Sequence, residues 1–175
     1  MIIEFEGYRP QVSPTAFVAP TAVLIGNVVV HDEASIWFGA VLRGDHGDRP
    51  IVVGARTSVQ DNCVIHVAFH KGTTIGEDVT IGHGAILEAC DVEDGALIGM
   101  NSVVLENARI GSRSLLAAGS TVLAGTEIPP DHMAAGVPAK VKKSIEGGAR
   151  WWVENSAKYY VELGGRYRDA LEKGD

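Results

Sequence analysis

Residues 92–128 read VEDGALIGMNSVVLENARIGSRSLLAAGSTVLAGTEI, and every sixth position of this stretch is aliphatic. These positions are Val92, Ile98, Val104, Ile110, Leu116, Val122 and Ile128. A period of six fits neither the 3.6-residue period of an amphipathic helix nor the alternation of a long strand. Fixed short periods rich in Gly and β-branched residues are typical of a β-helix, in which each unit is one short strand and one turn. The stretch therefore predicts a parallel β-solenoid.

The same repeat extends in both directions along the chain. The further aliphatic positions are Val12, Val18, Leu24, Val30, Ile36, Leu42, then Val53, Val59, Ile65, then Ile75, Ile81 and Leu87, with Ala134 closing the series. Three units close one triangular rung of about 18 residues, and rungs stack at the strand spacing of about 4.8 Å. We name the three faces A, B and C after the units that carry Val53, Val59 and Ile65. The core is expected to consist of three aliphatic columns.

Two insertions break the register, one between Leu42 and Val53 and one between Ile65 and Ile75. Both leave the solenoid at the same corner, after face C. With the insertions set aside, the residues that directly follow the aliphatic positions of face C in three successive rungs are Arg43, His66 and Glu88. The phase therefore predicts that these three side chains form one polar column. Asp61 and His83 each lie two positions after the aliphatic residue of face B, and they are predicted to form a second column.

The composition favours a single soluble domain, because 46% of the 175 residues are apolar. The chain shows no signal-peptide pattern and no apolar stretch approaching 18 residues, so a cytoplasmic protein without a membrane span is expected. A net charge of −7 without a basic run argues against nucleic acid as a partner. Cys63 and Cys90 are interpreted as buried packing residues rather than as a disulfide or a ligand pair.

The repeat stops after Ala134, and a different pattern follows. Large apolar residues at spacings of three and four predict a helix over residues 149–171. We therefore divide the chain into a β-helix domain, residues 1–140, and a C-terminal segment, residues 141–175. Solenoids need their flanks covered, so the helix is expected to pack on the β-helix or on a neighbouring subunit.

Four segments carry a resemblance to a known family. They are LRGD at 42–45, VQDNCVIH at 59–66, IGEDVTIGHGAIL at 75–87 and LIGMNSVVL at 97–105. Together they resemble the gamma-class carbonic anhydrases, which are left-handed parallel β-helices that form trimers. The resemblance runs over nearly the whole chain. It implies a homotrimer that hydrates carbon dioxide reversibly to bicarbonate by means of a metal-bound hydroxide.

The resemblance also implies a metal site at the subunit interface. The three histidine ligands of the family match His66, His83 and the position that Glu88 holds in this chain. A trimer would bring face C of one subunit against face B of the next, so that each interface holds one divalent metal. Zinc or iron(II) is expected, and cobalt(II) also accepts nitrogen and oxygen ligands. His70, in the second insertion, is an alternative third ligand.

Further site residues follow from the same resemblance. Arg43 and Asp45 match an interface ion pair, Gln60 matches a residue that orients the metal-bound hydroxide, and Asp61 is expected to support the site. Glu88 adds negative charge beside the metal and should make the bound water less acidic. Weak anhydrase activity is therefore expected.

Two other readings remain open from the sequence. The chain could be a trimeric scaffold or binding protein that has lost the original chemistry with the third histidine. Hexapeptide β-helices also serve as acyltransferases, which place a catalytic histidine at a trimer groove and bind acyl-CoA there, and a CoA thioesterase is a related variant. A requirement for metal would separate the anhydrase from the acyltransferase.

Overall fold

The structure of the protein is a computed structural model that describes residues 1–173. Within this range the backbone forms short strands followed by one long helix, α1, Gly147–Glu172. The strands are β1 Ile2–Ile3, β2 Gln11–Val12, β3 Phe17–Val18, β4 Val23–Gly26, β5 Val28–Val30, β6 Ser35–Ile36, β7 Val41–Gly44, β8 Ile51–Val53, β9 Ser58–Val59, β10 Val64–His66, β11 Thr73–Ile75, β12 Thr80–Ile81, β13 Ile86–Glu88, β14 Asp91–Val92, β15 Leu97–Ile98, β16 Val103–Val104, β17 Arg109–Ile110, β18 Leu115–Leu116, β19 Thr121–Val122, β20 Glu127–Ile128, β21 His132–Gly136 and β22 Ala139–Ser144.

From β1 to β21, strands three apart along the chain pair in parallel, so these strands form three sheets. Face A contains β2, β5, β8, β11, β14, β17 and β20; face B runs from β3 through every third strand to β21; face C runs from β1 to β19. The architecture is the left-handed parallel β-helix that the repeat and the resemblance predict. Strand β22 folds back antiparallel onto β21 and ends face B. It also crosses the boundary that we predicted after residue 140.

The core is aliphatic, as the six-residue period predicts. The largest fully buried side chains are Leu24, Ile36, Leu42, Ile51, Ile65, Ile75, Ile81, Leu87, Ile98, Ile110, Leu116 and Ile128, and all of them except Ile51 occupy repeat positions. Burying one such side chain contributes about 1.5–3 kcal/mol. The inward columns therefore fix the register of every rung.

The corner between faces B and C explains why Gly and Asn recur in the repeat. Its residues Gly39, Asn62, Gly84, Asn101 and Gly119 all have φ between 55° and 71°. This left-handed region is open to Gly and is tolerated by Asn better than by most residues. A Cβ on Gly84 would lie 2.3 Å from Oδ1 of Asn101 in the next rung. Backbone conformation and close stacking both favour small residues here.

Helix α1 confirms the predicted C-terminal helix and begins two residues earlier than expected. It packs against strands β3, β6, β9 and β12 on face B of its own chain. The hydroxyl of Thr80 donates to Ser156 Oγ at 3.0 Å, and a Cβ on Gly164 would lie 3.4 Å from the Cβ of Phe17. The glycine thus allows a close approach and does not interrupt the helix. Within residues 1–173, no helix is both long and apolar enough to span a membrane.

An aromatic cluster holds the helix on face B. The ring of Trp37 packs edge-on against Tyr160, with 5.6 Å between centroids, and against Tyr167, with 5.2 Å. The indole N–H of Trp37 donates to Ser35 Oγ at 3.0 Å and to Ser58 Oγ at 2.9 Å. Because the indole is fixed by these bonds, it provides a rigid base for the tyrosines of α1.

Candidate functional site

The predicted polar column on face C is present. Strands β7, β10 and β13 pair in a register that places His66 beside Arg43 on one side and beside Glu88 on the other. His66 Nδ1 lies 3.1 Å from Glu88 Oε1, and His66 Nε2 lies 3.1 Å from Asp45 Oδ1. Arg43 bonds to Asp45 as well. The four side chains form one hydrogen-bonded ladder, termed the face C ladder.

Asp45 is the charged centre of this ladder. Partial burial opposes its ionisation, but hydrogen bonds from Arg43 and His66 outweigh that effect and lower the pKa of Asp45. Both ring nitrogens of His66 already face a carboxylate. Neither nitrogen is therefore open to accept a proton from a substrate, and the face C ladder is better suited to structural pairing than to base catalysis.

The second predicted column, Asp61 and His83, is also present, at the corner between faces B and C. His83 Nδ1 lies 2.8 Å from Asp61 Oδ2. The His83 side chain is 46% exposed, so its other ring nitrogen is accessible from outside. A carboxylate this close to Nδ1 favours the tautomer that is protonated there, with Nε2 as the acceptor, and a general base needs this arrangement.

Gln60 positions this corner. Its side chain is buried, and its Oε1 accepts a hydrogen bond from the backbone N–H of His83 at 3.1 Å. The Gln60 side chain also lies near Tyr160 of α1 and lowers the pKa of its hydroxyl. The resemblance predicts that Gln60 orients a metal-bound hydroxide, and that role stays a prediction; the structure shows Gln60 in contact with the backbone of His83.

A groove of about 360 Å³ lies beside His83, between the corner and α1. Its walls are largely apolar, with a few hydroxyl and amide groups among them. We term it the corner groove; it is lined by Gln60, Thr80, Gly82, His83, Leu97, Ile98, Gly99, Met100, Leu115, Ala118, Trp152, Ser156 and Tyr160. Apolar pockets with a few convergent polar groups are the usual form of small-molecule sites.

Three lining residues come from α1, and the sequence did not assign them to a site. Trp152 and Tyr160 fall within the helix that the spacing predicts over residues 149–171, and the spacing assigns them no further role. The spacing of eight residues between them places both on one side of α1, which was the available signal. The periodicity does not say which face of the solenoid the helix covers.

His70 lies away from the ladder, where its Nε2 is 3.2 Å from Asn107 Nδ2 and 3.7 Å from Glu106 Oε2. Over the part of the chain that the structure describes, no three His, Cys, Asp or Glu side chains are grouped to hold a metal. His66 and Glu88 lie on face C, whereas His83 lies beyond the corner. The metal set of His66, His83 and Glu88 would need a second copy of the chain, and it stays a prediction, which elemental analysis of the purified protein would test.

The comparisons with known proteins show that the chain is similar to hexapeptide-repeat transferases and to a carnitine operon protein. The family model for the bacterial transferase hexapeptide (six repeats) matches residues 89–124. The carnitine operon protein CaiE of Escherichia coli K12 is 41% identical over 171 residues, which cover 97% of this chain and 85% of CaiE. Both the repeat and most of the chain length are therefore shared with these relatives.

Solved structures agree with this result. A hexapeptide transferase family protein from Anaplasma phagocytophilum is 39% identical, with a TM-score of 0.90 over 95% of this chain and 98% of that one. The hexapeptide-repeat acetyltransferase VCA0836 of Vibrio cholerae, solved with acetyl-coenzyme A, is 25% identical, with a TM-score of 0.52 over 64% of this chain and 66% of that one.

These relatives overturn the prediction of a carbonic anhydrase. Their names point to transferases and to a carnitine operon protein, not to a lyase. The motifs that suggested an anhydrase include the buried aliphatic positions and the small corner residues, which the β-helix itself requires. The residue that departs from the anhydrase pattern, Glu88, is bonded to His66 within the face C ladder.

Proposed function

Because the chain belongs to the hexapeptide-repeat transferase family, with the carnitine operon protein CaiE among its relatives, we propose that it transfers an acyl group from an acyl-CoA to a small-molecule acceptor. The observation that carries the proposal is the pair of His83 and Asp61, 2.8 Å apart, at an apolar groove. His83 acts as the general base, and Asp61 and Gln60 position it.

The reaction follows from this geometry. The acceptor nucleophile attacks the thioester carbonyl carbon while Nε2 of His83 takes its proton, and the carbonyl π electrons move to the oxygen. Collapse of the tetrahedral intermediate breaks the carbon–sulfur bond. The sulfur leaves with the electron pair and takes the proton from His83, so the products are the acylated acceptor and the CoA thiol.

A lysine-rich strand supports CoA as the donor. Lys140, Lys142 and Lys143 on β22 are exposed, in a chain whose net charge is −7. His83 follows strand β12, and strand β22 lies four strands further along the same sheet. At the usual distance between neighbouring strands, about 19 Å therefore separates β22 from β12. This span suits an extended pantetheine arm lying along the corner groove, with the CoA phosphates at the lysines and the thioester at His83.

The proposal includes a homotrimer built on face C. Val64 and Ile86 are adjacent on this face, point outward, and are 40% and 45% exposed. Exposed β-branched residues in register form an apolar strip that a second copy can cover. The face C ladder flanks the strip, so charged groups lie beside the apolar contact, as in many interfaces.

An assay of CoA release from acetyl-CoA and longer acyl-CoAs, with a panel of amine and alcohol acceptors, tests the proposal. Loss of a general base typically costs about 10²–10⁴-fold in rate, so His83→Asn should lower kcat by that factor. Asp61→Asn should lower it less, because the imidazole remains. His132→Asn is the matched control, because the ring Nδ1 of His132 lies 2.8 Å from the Pro130 carbonyl oxygen and His132 does not line the corner groove.

The two thiols should not disturb a thiol-detecting reagent. Cys63 and Cys90 are buried, and burial raises the pKa of each to about 12. CoA release without any acceptor would show that water is the nucleophile and that the protein is a thioesterase. Full activity of His83→Asn, or no binding and no turnover of any acyl-CoA by the wild type, would contradict the proposal.

A further inference from the structure

Tyr160 reaches the corner groove from α1 and lines it together with His83. Gln60 connects the two residues. Its Oε1 accepts the backbone N–H of His83, which leaves its amide NH₂ group to face the Tyr160 hydroxyl, whose pKa Gln60 lowers. An amide donor beside the phenolic oxygen lets Tyr160 direct its own O–H into the groove, which it lines together with His83.

The position of Tyr160 is fixed from two sides. Its ring packs edge-on against Trp37, which is anchored by two serine hydroxyls. One helical turn earlier, Ser156 bonds to Thr80 on face B at 3.0 Å. A donor held by such contacts does not have to reorganise when charge develops beside it, which is the condition for strong electrostatic catalysis.

We propose that Tyr160 is a catalytic residue that donates a hydrogen bond to the thioester oxyanion formed during acyl transfer. This inference rests on the proposed function and adds to it the group that stabilises the negative charge. His83 removes the proton of the acceptor, and Tyr160 holds the oxygen on which the charge accumulates. Gln60 then acts as a positioning residue for both.

The ionisation of Tyr160 is consistent with a donor. Burial raises the pKa of its hydroxyl, and the neighbouring Tyr159 and Asp61 raise it further, against the smaller opposing effect of Gln60. The hydroxyl therefore keeps its proton at neutral pH. A neutral phenol in an apolar wall is a suitable partner for a transient oxyanion.

Tyr160→Phe tests the proposal because it removes only the hydroxyl and keeps the ring against Trp37. Loss of one oxyanion donor costs about 10²–10³-fold in kcat, and we expect about 10²-fold for this variant, with KM for the acyl-CoA changed less than twofold. Tyr159→Phe is the matched control: the neighbouring tyrosine is exposed and does not line the groove, so its kinetics should equal those of the wild type.

Gln60→Glu is a second variant, in which Tyr160 is retained. A carboxylate at position 60 still accepts the His83 N–H, but it has no N–H to offer and would draw the Tyr160 O–H away from the groove. We expect a kcat loss similar to that of Tyr160→Phe. The double variant should lose little more than either single one, because both changes remove the same donated hydrogen bond.

The outcomes are distinct. A fall in kcat for Tyr160→Phe and Gln60→Glu with unchanged KM and unchanged melting temperature supports the oxyanion role. Wild-type kcat in Tyr160→Phe, with His83→Asn inactive, overturns this role while the proposed function stands. A rise in KM alone would show that Tyr160 only binds substrate and would overturn it too. No turnover by the wild type would overturn both the proposed function and the role of Tyr160.

Discussion

His66 and His83 are one rung apart in the solenoid, yet their surroundings differ. His66 has a carboxylate at each ring nitrogen, whereas His83 has one carboxylate at Nδ1 and an apolar groove beside it. A general base needs one nitrogen held and the other open to substrate. This difference in surroundings, rather than histidine content, is the reason why we propose His83 as the general base.

Ion pairs between successive rungs are a second feature at the residue scale, and they make a pH-dependent contribution to stability. Arg113 bonds to Asp131 in the next rung through two N–H groups, at 3.0 and 2.7 Å, and this hydrogen bonding is the main cause of the lowered pKa of Asp131. Because the folded-state pKa is depressed, the stabilisation is present above the ordinary carboxyl pKa of about 3.8 and is lost as the pH falls below it.

We therefore predict that Asp131→Asn lowers the melting temperature at pH 7 by up to about 3 °C, since an exposed ion pair contributes little to stability. The difference from the wild type should shrink as the pH falls through 3.8 and below. Thermal melts from pH 2.5 to 7 measure this, and Arg113→Ala should behave alike. A difference that persists unchanged at the lowest pH would contradict the prediction.

At the scale of elements, the rungs approach each other so closely that glycine is required at particular corners. A Cβ on Gly54 would lie 2.3 Å from the carbonyl oxygen of Gly76 and 2.7 Å from the amide nitrogen of Glu77. Both atoms belong to the backbone of the next rung, which cannot rotate away as a side chain can. In α1, by contrast, the space around Gly165 is open.

Gly54→Ala should therefore destabilise the protein by about 2–3 kcal/mol, as overpacking of a tight core does. Gly165→Ala serves as the matched control and should stabilise by about 1 kcal/mol, because alanine favours the helix more than glycine does. Chemical denaturation of both variants checks the two signs. Equal effects at the two positions would show that rung stacking does not require glycine.

At the scale of the whole molecule, the three faces are used differently. Face B is covered by α1, face C carries the exposed apolar strip and the face C ladder, and the corner groove lies at the junction of these two faces. A trimer that buries face C would place a neighbouring subunit beside this groove. Substrate binding and assembly would then depend on the same surface.

Ile86→Lys places a charge on the strip that the proposed trimer buries, so we expect it to produce monomers. Thr74→Lys is the control, since Thr74 is exposed on a strand of face A. Light scattering coupled to size-exclusion chromatography measures the mass of each variant at several concentrations. A trimeric Ile86→Lys, or a monomeric wild type, would exclude face C as the interface.

The solenoid follows from the repeat alone, because inward positions recur every six residues and each strand from β1 to β21 contacts a partner about one rung away. Counting along the six-residue repeat was enough to place Arg43, His66 and Glu88 in one column and Asp61 beside His83.

The repeat does not predict where α1 docks on the solenoid. The bond between Thr80 and Ser156 joins residues 76 apart, and no period relates them. Only the tertiary structure brings Tyr160 to Gln60 and forms the corner groove, since helix docking depends on the shape of face B and not on a repeat. The prediction of a carbonic anhydrase was wrong for the same reason. The motifs reflect the fold, whereas the reaction depends on which side chains the tertiary structure brings together.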